Sequence, residues 1–247
     1  MRCLQGKVSE EGYFVRKTIS GRKAWAGFSS IKSAHFACIR KIEKRGKMYY
    51  PIEKMLPYRG LAVFILLLFY GIYFMKLLLQ KRQGIRTNQI GSRKEKGLHT
   101  VELLMSAATV GIVVVQLVSI ALEKNWMPAN ARFTGFLLAL LGDVIFLISV
   151  VTMRDSWRAG IPSQDKTHLV TVGIYRFSRN PAFLGFDLMY LGMLLMYFNP
   201  VMLLFTIYAA VMLHLQILQE EKYLERTFGK EYTAYKRQVF RYLGRRF

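Results

Sequence analysis

Apolar residues along the chain gather into four blocks, Gly60 to Leu79, Val101 to Leu122, Phe133 to Thr152 and Ala182 to Leu218, separated by segments rich in charge. A helix rises about 1.5 Å per residue, so roughly 20 apolar residues cross a hydrocarbon core of about 30 Å, and each of the first three blocks supplies that length. The fourth is nearly twice as long. It is interrupted at Asn199-Pro200, where a turn-favouring residue precedes one that cannot continue a helix. The pattern predicts an all-α integral membrane protein of five transmembrane helices, the last two forming a helical hairpin. Residues 59–152 supply three spans, and residues 153–247 hold the hairpin and an amphipathic C-terminal tail.

Charge orients these spans. The formal net charge of +21 lies in flanks and loops rather than on one folded face, which argues against nucleic acid as the partner. Residues 1–58 carry 13 Lys or Arg against 4 acids, and Gln80 to Leu98 carries 6 against 1. Basic residues beside spans mark the cytoplasmic side and anionic lipid. The polar segments before and after the hairpin share one face, and Arg154, Arg158, Arg176 and Arg179 make that face cytoplasmic, together with the C-terminus and Gln80 to Leu98. The nearly neutral segment Glu123 to Arg132, with Trp126, is expected outside. The chain is thus expected to be a multi-pass protein of the cell membrane. An odd number of spans leaves the basic N-terminal tail on the outer side, against its charge. That tail lacks periodicity, so residues 1–47 are expected to be unstructured, or partly an upstream start ahead of Met48, and dispensable for insertion. Cys3 and Cys38 are the only cysteines, and no disulfide framework or metal site is expected from them.

Three fragments carry candidate chemistry. Around Ser178-Arg179-Asn180-Pro181, Asn180 suits an N-cap and Pro181 the first helical position, so a helix is expected to start there with its positive end toward the cytoplasm. Free N–H groups and Arg179 beside them suit a small carboxylate, or the segment is merely a cap with an interfacial charge. After the fifth span, Gln216 and Glu220 share one helical face and His214 and Glu221 another. Adjacent carboxylates where a span leaves the bilayer are either a site or a solvated helix end. Inside the spans, Asp187 lies on one face with Phe183 near Tyr190 and is expected to line a pocket. Glu102 and Asp143 are expected to make interhelical hydrogen bonds.

Taken in order, Leu169-Val170-Thr171 with Gly173 and Tyr175, Arg179 with Pro181, the apolar hairpin broken at Asn199-Pro200, Glu220-Glu221 with Leu224, and Phe228-Gly229 with Tyr232 and Tyr235 resemble the isoprenylcysteine carboxyl methyltransferase family and its phospholipid methyltransferase relatives. The likeness covers roughly residues 153–241; upstream, only the number of spans matches. It implies a methyltransferase that uses S-adenosyl-L-methionine and a lipid-phase or lipidated substrate. It further implies cofactor contacts from Thr167, His168, Leu169, Val170, Tyr175, Asn180, Pro181, Ala182, Phe183 and Glu220, and places Gln216 toward the substrate; the residues themselves add Arg179 for the cofactor's carboxylate, Glu220 or Glu221 as a catalytic proton acceptor, and Asp187 toward the substrate. The chain departs from the family in having Asn180 for His, Phe183 for Tyr, and Gln216 for the Arg that contacts substrate in the eukaryotic enzymes. The acceptor is either a carboxylate, as on a prenylcysteine, or the amine of a phospholipid; a non-catalytic membrane protein retaining the fold is the remaining reading.

Overall fold

The computed structural model describes residues 58–85, 96–123, 125–158 and 168–246, with the backbone alone at 96–99. The expectations for residues 1–57 and for Thr167 lie outside the described residues. Among the described residues, five helices follow in order: α1 (Tyr58–Arg82), α2 (Lys96–Leu122), α3 (Ala129–Met153), α4 (Pro181–Met196) and α5 (Pro200–Gln238). Short 3-10 turns occupy Arg154–Ser156 and Gly173–Arg176. Among the described residues there is no strand, only an isolated antiparallel bridge between Val239 and Arg245.

Among the described residues, four helices are long and apolar enough to cross a membrane: α1, α3, α5 and the stretch Thr100–Leu122 of α2. Their outer faces carry Leu67, Phe74, Val110, Val114 and Leu204, each more than half exposed. Such a surface suits lipid rather than water. The fourth helix is shorter, 16 residues or about 24 Å. Pro181 opens it, and it ends just ahead of Asn199-Pro200, where the Asn199 side chain accepts from Met202 N–H at 2.9 Å and caps α5.

The predicted hairpin is splayed. Although α4 and α5 are joined by three residues, α4 packs mainly on α3 and α5 mainly on α2. Small residues explain the first pairing, because Gly135, Ala139 and Gly142 on α3 face Gly185 and Gly192 on α4 with backbones nearly touching. A Cβ at Gly192 would lie 2.5 Å from Gly135 O, and one at Gly142 would lie 2.7 Å from Gly185 O. Without a hydrophobic force between helices in lipid, such close approach supplies the contact energy. Gln80, fully buried, fixes the far end of α1 by donating to Trp157 O at 3.2 Å and Arg154 O at 3.4 Å. Asp143 departs from expectation: it is fully buried, but neither carboxylate oxygen has a hydrogen-bond partner.

Candidate functional site

The chain preceding α4 sets the first wall of the site. Gly173 at φ +60° opens a 3-10 turn that brings Tyr175 inward, where its carbonyl accepts from Tyr235 Oη at 2.7 Å. Burial pushes the Tyr175 phenol well above its ordinary range, so it stays neutral. Asn180 occupies the N-cap position as expected, yet its side chain makes no cap bond. It turns instead to donate to Glu221 Oε1 at 3.3 Å and to Arg241 O at 3.2 Å.

The second wall comes from α5. The helix runs unbroken to Phe228 and then breaks at Gly229, where φ +51° with ψ −117° is a backbone conformation that glycine adopts without strain. The break lets the last turns carry Tyr232 and Tyr235 back against the segment before α4, where Tyr232 Oη accepts from Arg179 at 3.3 Å.

Geometry divides the two adjacent carboxylates. Glu221 is buried and receives Arg179 Nη2 at 3.2 Å and the Arg241 guanidinium in a fork, Nε at 3.1 Å and Nη2 at 2.9 Å. The bond to Glu221 raises the Arg241 pKa further, keeping the fork charged. Glu220 points to the other face, accepting from Gln216 Nε2 at 3.1 Å. Arg179 therefore pairs with Glu221, while Arg179 and Glu220 both line one cavity. Arg179 Nε is buried there without a partner.

That cavity has a volume of about 900 Å³. At one end its walls are His168, Leu169, Val170, Tyr175, Arg179, Asn180, Ala182, Phe183, Gln216 and Glu220, ten of the residues singled out in the sequence. Pro181, Asp187 and Glu221 are not among the lining residues; Asp187 keeps one buried carboxylate oxygen without a partner. From this polar end the cavity continues as an apolar groove between α1 and α2, past Tyr70, Tyr73 and Phe74 on one side and Met105, Thr109 and Val113 on the other. The lining residues Leu67, Phe74, Val110, Val114 and Leu117 are more than half exposed, so the groove opens on the lipid-facing surface.

Sequence reasoning missed the groove and Arg241. The groove arises because α1 and α2 scarcely pack on each other, which no periodicity encodes. Arg241 follows the end of α5 in a segment without helical pattern, and only folding brings it to Glu221.

The residues at the polar end fit a zwitterionic sulfonium donor. Arg179 offers a guanidinium N–H for a carboxylate, Glu220 offers acceptor oxygens, and apolar and aromatic walls exclude water.

Residues 131–231 match the family described as phospholipid methyltransferase. The chain is 31% identical over 121 residues to a probable protein-S-isoprenylcysteine O-methyltransferase of Oryza sativa subsp. indica, which covers 48% of this chain and 62% of the relative. It is 28% identical over 121 residues to protein-S-isoprenylcysteine O-methyltransferase B of Arabidopsis thaliana, covering 48% and 60%. With protein-S-isoprenylcysteine O-methyltransferase of Saccharomyces cerevisiae it shares 33% over 108 residues, covering 42% and 45%. The chain thus spans less than two thirds of the length of these relatives. Residues 131–231 are similar to the phospholipid methyltransferase family, and the chain is similar to the protein-S-isoprenylcysteine O-methyltransferases, as the ordered motifs in its sequence imply.

Proposed function

We propose that the protein is a membrane-embedded methyltransferase that moves a methyl group from S-adenosylmethionine to a lipophilic acceptor arriving sideways from the bilayer. The observation that carries this reading is the single cavity joining a polar, Arg-bearing end to an apolar groove open toward lipid. When bound, the donor supplies an electrophilic methyl on a sulfonium. The chain's task is then to hold two reactants in line and exclude water. Arg179 and Asn180 hold the donor's carboxylate end, and the segment His168 to Val170 lies along it. Tyr175 and Phe183 enclose it, while Glu220 accepts from its amine or ribose hydroxyls. The groove between α1 and α2 takes the acceptor's hydrocarbon tail.

Five spans follow if the short α4 crosses with the help of its tight packing on α3. The alternating basic loops then put the polar end and the C-terminus in the cytoplasm, in the cell membrane. Among the described residues, those from His168 onward build the polar end of the site.

The relatives' names make a prenylcysteine carboxylate the first acceptor to test. One observation favours an amine on a phospholipid head group instead. Gln216 commits its Nε2 to Glu220, so the amide presents Oε1, which is buried without a partner and can only accept. An N–H satisfies it, and a carboxylate does not. Purified membranes incubated with methyl-labelled S-adenosylmethionine decide the matter: base-released methanol means an ester, label retained in lipid means an N-methyl product, and no label in either contradicts the proposal.

A further inference from the structure

The chain beyond residue 231, where the match to the phospholipid methyltransferase family ends, folds back as a turn over residues 239–246 and is stitched to the segment leading into α4. Gly244 N–H donates to Phe177 O at 2.7 Å, and Arg179 N–H donates to Phe240 O at 3.1 Å. Phe240 N–H closes the turn on Gly244 O at 3.0 Å. Gly244, at φ +122°, leaves the Phe240 ring no room for a Cβ, which would meet it at 2.8 Å. Side chains anchor the turn to α5 as well, since Tyr242 Oη and His214 Nδ1 lie 2.6 Å apart and Arg241 forks onto Glu221. His214 and Glu221 share the helix face that carries the turn, and Gln216 and Glu220 the face toward the cavity.

Charge accounting gives this turn a role. Glu221 is one buried carboxylate shared by two guanidiniums, those of Arg179 and Arg241, with side-chain exposures of 7% and 33%. Arg179 lines the cavity and Arg241 does not. Two guanidiniums on one carboxylate leave an excess of one positive charge, and of the two only Arg179 lines the cavity. If Glu221 faced Arg179 alone, the pair would be neutral and Arg179 would be drawn toward Glu221 and quenched.

We propose that Arg241 is a positioning residue of the methyl-donor site: by neutralising Glu221 from behind, it leaves Arg179 with positive charge to offer an anionic group in the cavity. The inference rests on the donor site proposed above and adds to it a residue that never touches the ligand. It also makes the 239–246 turn part of the site.

The test compares S-adenosylmethionine with its decarboxylated form, which lacks only the carboxylate, by calorimetric titration of the full-length protein in detergent. The wild type should prefer the carboxylate-bearing ligand by about 10-fold or more, the size of a charge-assisted hydrogen bond. Arg241→Gln should erase that preference, acting on the carboxylate ligand and sparing the decarboxylated one, and Arg241→Lys should restore part of it. Combining Arg241→Gln with Glu221→Gln should bring it back, because nothing then quenches Arg179. A turn that merely stabilised the fold would lower both affinities together and make the double variant worse; either result overturns the inference, as does an unchanged preference in Arg241→Gln. If the wild type binds neither ligand, the donor site itself fails and the inference with it. If the wild type binds both ligands equally, the donor site stands and the role of Arg241 does not.

Discussion

Gly192→Ala adds one carbon at the tightest point of the helix bundle. The new Cβ would sit 2.5 Å from both Ala139 N and Gly135 O and 2.7 Å from Ala139 Cβ. Ordinary contact needs about 3.5 Å, so α4 must retreat from α3 by roughly 1 Å. The obstacle is backbone on α3, which cannot turn aside like a side chain. A gap of that size forfeits a quarter to a half of each neighbouring contact well, and overpacking of this kind costs about 1 to 3 kcal/mol. Alanine's better helix propensity returns about 0.5 to 1 kcal/mol. A net loss near 1 to 2 kcal/mol lowers the melting temperature by about 2 to 8 °C. Gly71→Ala on α1 is the matched control, since a Cβ there meets nothing within 4 Å. It should melt at or slightly above wild type. Thermal unfolding in detergent reads both. A Gly192→Ala protein that melts with wild type, or a Gly71→Ala protein that falls as far, would refute the close-packing account of α4.

Gly229→Ala should cost about 1 to 3 kcal/mol through backbone strain and also weaken donor binding, because the break at Gly229 brings Tyr232 and Tyr235 back to the site; melting and titration read the two effects separately. The adjacent carboxylates should respond differently. Glu221→Ala leaves two guanidiniums without their anion and should lower the melting temperature sharply, by the equivalent of about 3 kcal/mol, whereas Glu220→Gln should melt normally and bind the donor about 10-fold more weakly. Ser106→Phe should fill the groove between α1 and α2, cutting methyl transfer to a lipid acceptor while leaving calorimetric donor binding unchanged.

Sequence pattern revealed the helices because crossing a bilayer requires long apolar runs, and the four blocks correspond to the five helices, with α4 and α5 separating at Asn199-Pro200. Periodicity also separated the two faces of α5, since spacing of four and seven residues placed Gln216 with Glu220 and His214 with Glu221. Partners across the fold were not legible. Asn180 reads as a capping side chain in any sequence window, yet its Nδ2 donates to Glu221 and Arg241 O across the fold and its side chain makes no cap bond. Likewise Arg179 is equally near in sequence terms to Glu220 and Glu221, and only the twist of α5 decides which one it meets. The splaying of the hairpin depends on glycines whose spacing gives no hint of which helix they face. The acceptor groove is a gap between helices, and a gap has no residue pattern of its own.

If the Arg179 end of the cavity binds the methyl donor, titration of purified protein with S-adenosylhomocysteine reads that binding without any acceptor present. The wild type should bind at one site per chain, and Arg179→Ala should bind about 10-fold to 100-fold more weakly with its melting curve still cooperative. No binding by the wild type, or equal binding by Arg179→Ala, would remove the donor from this end of the cavity.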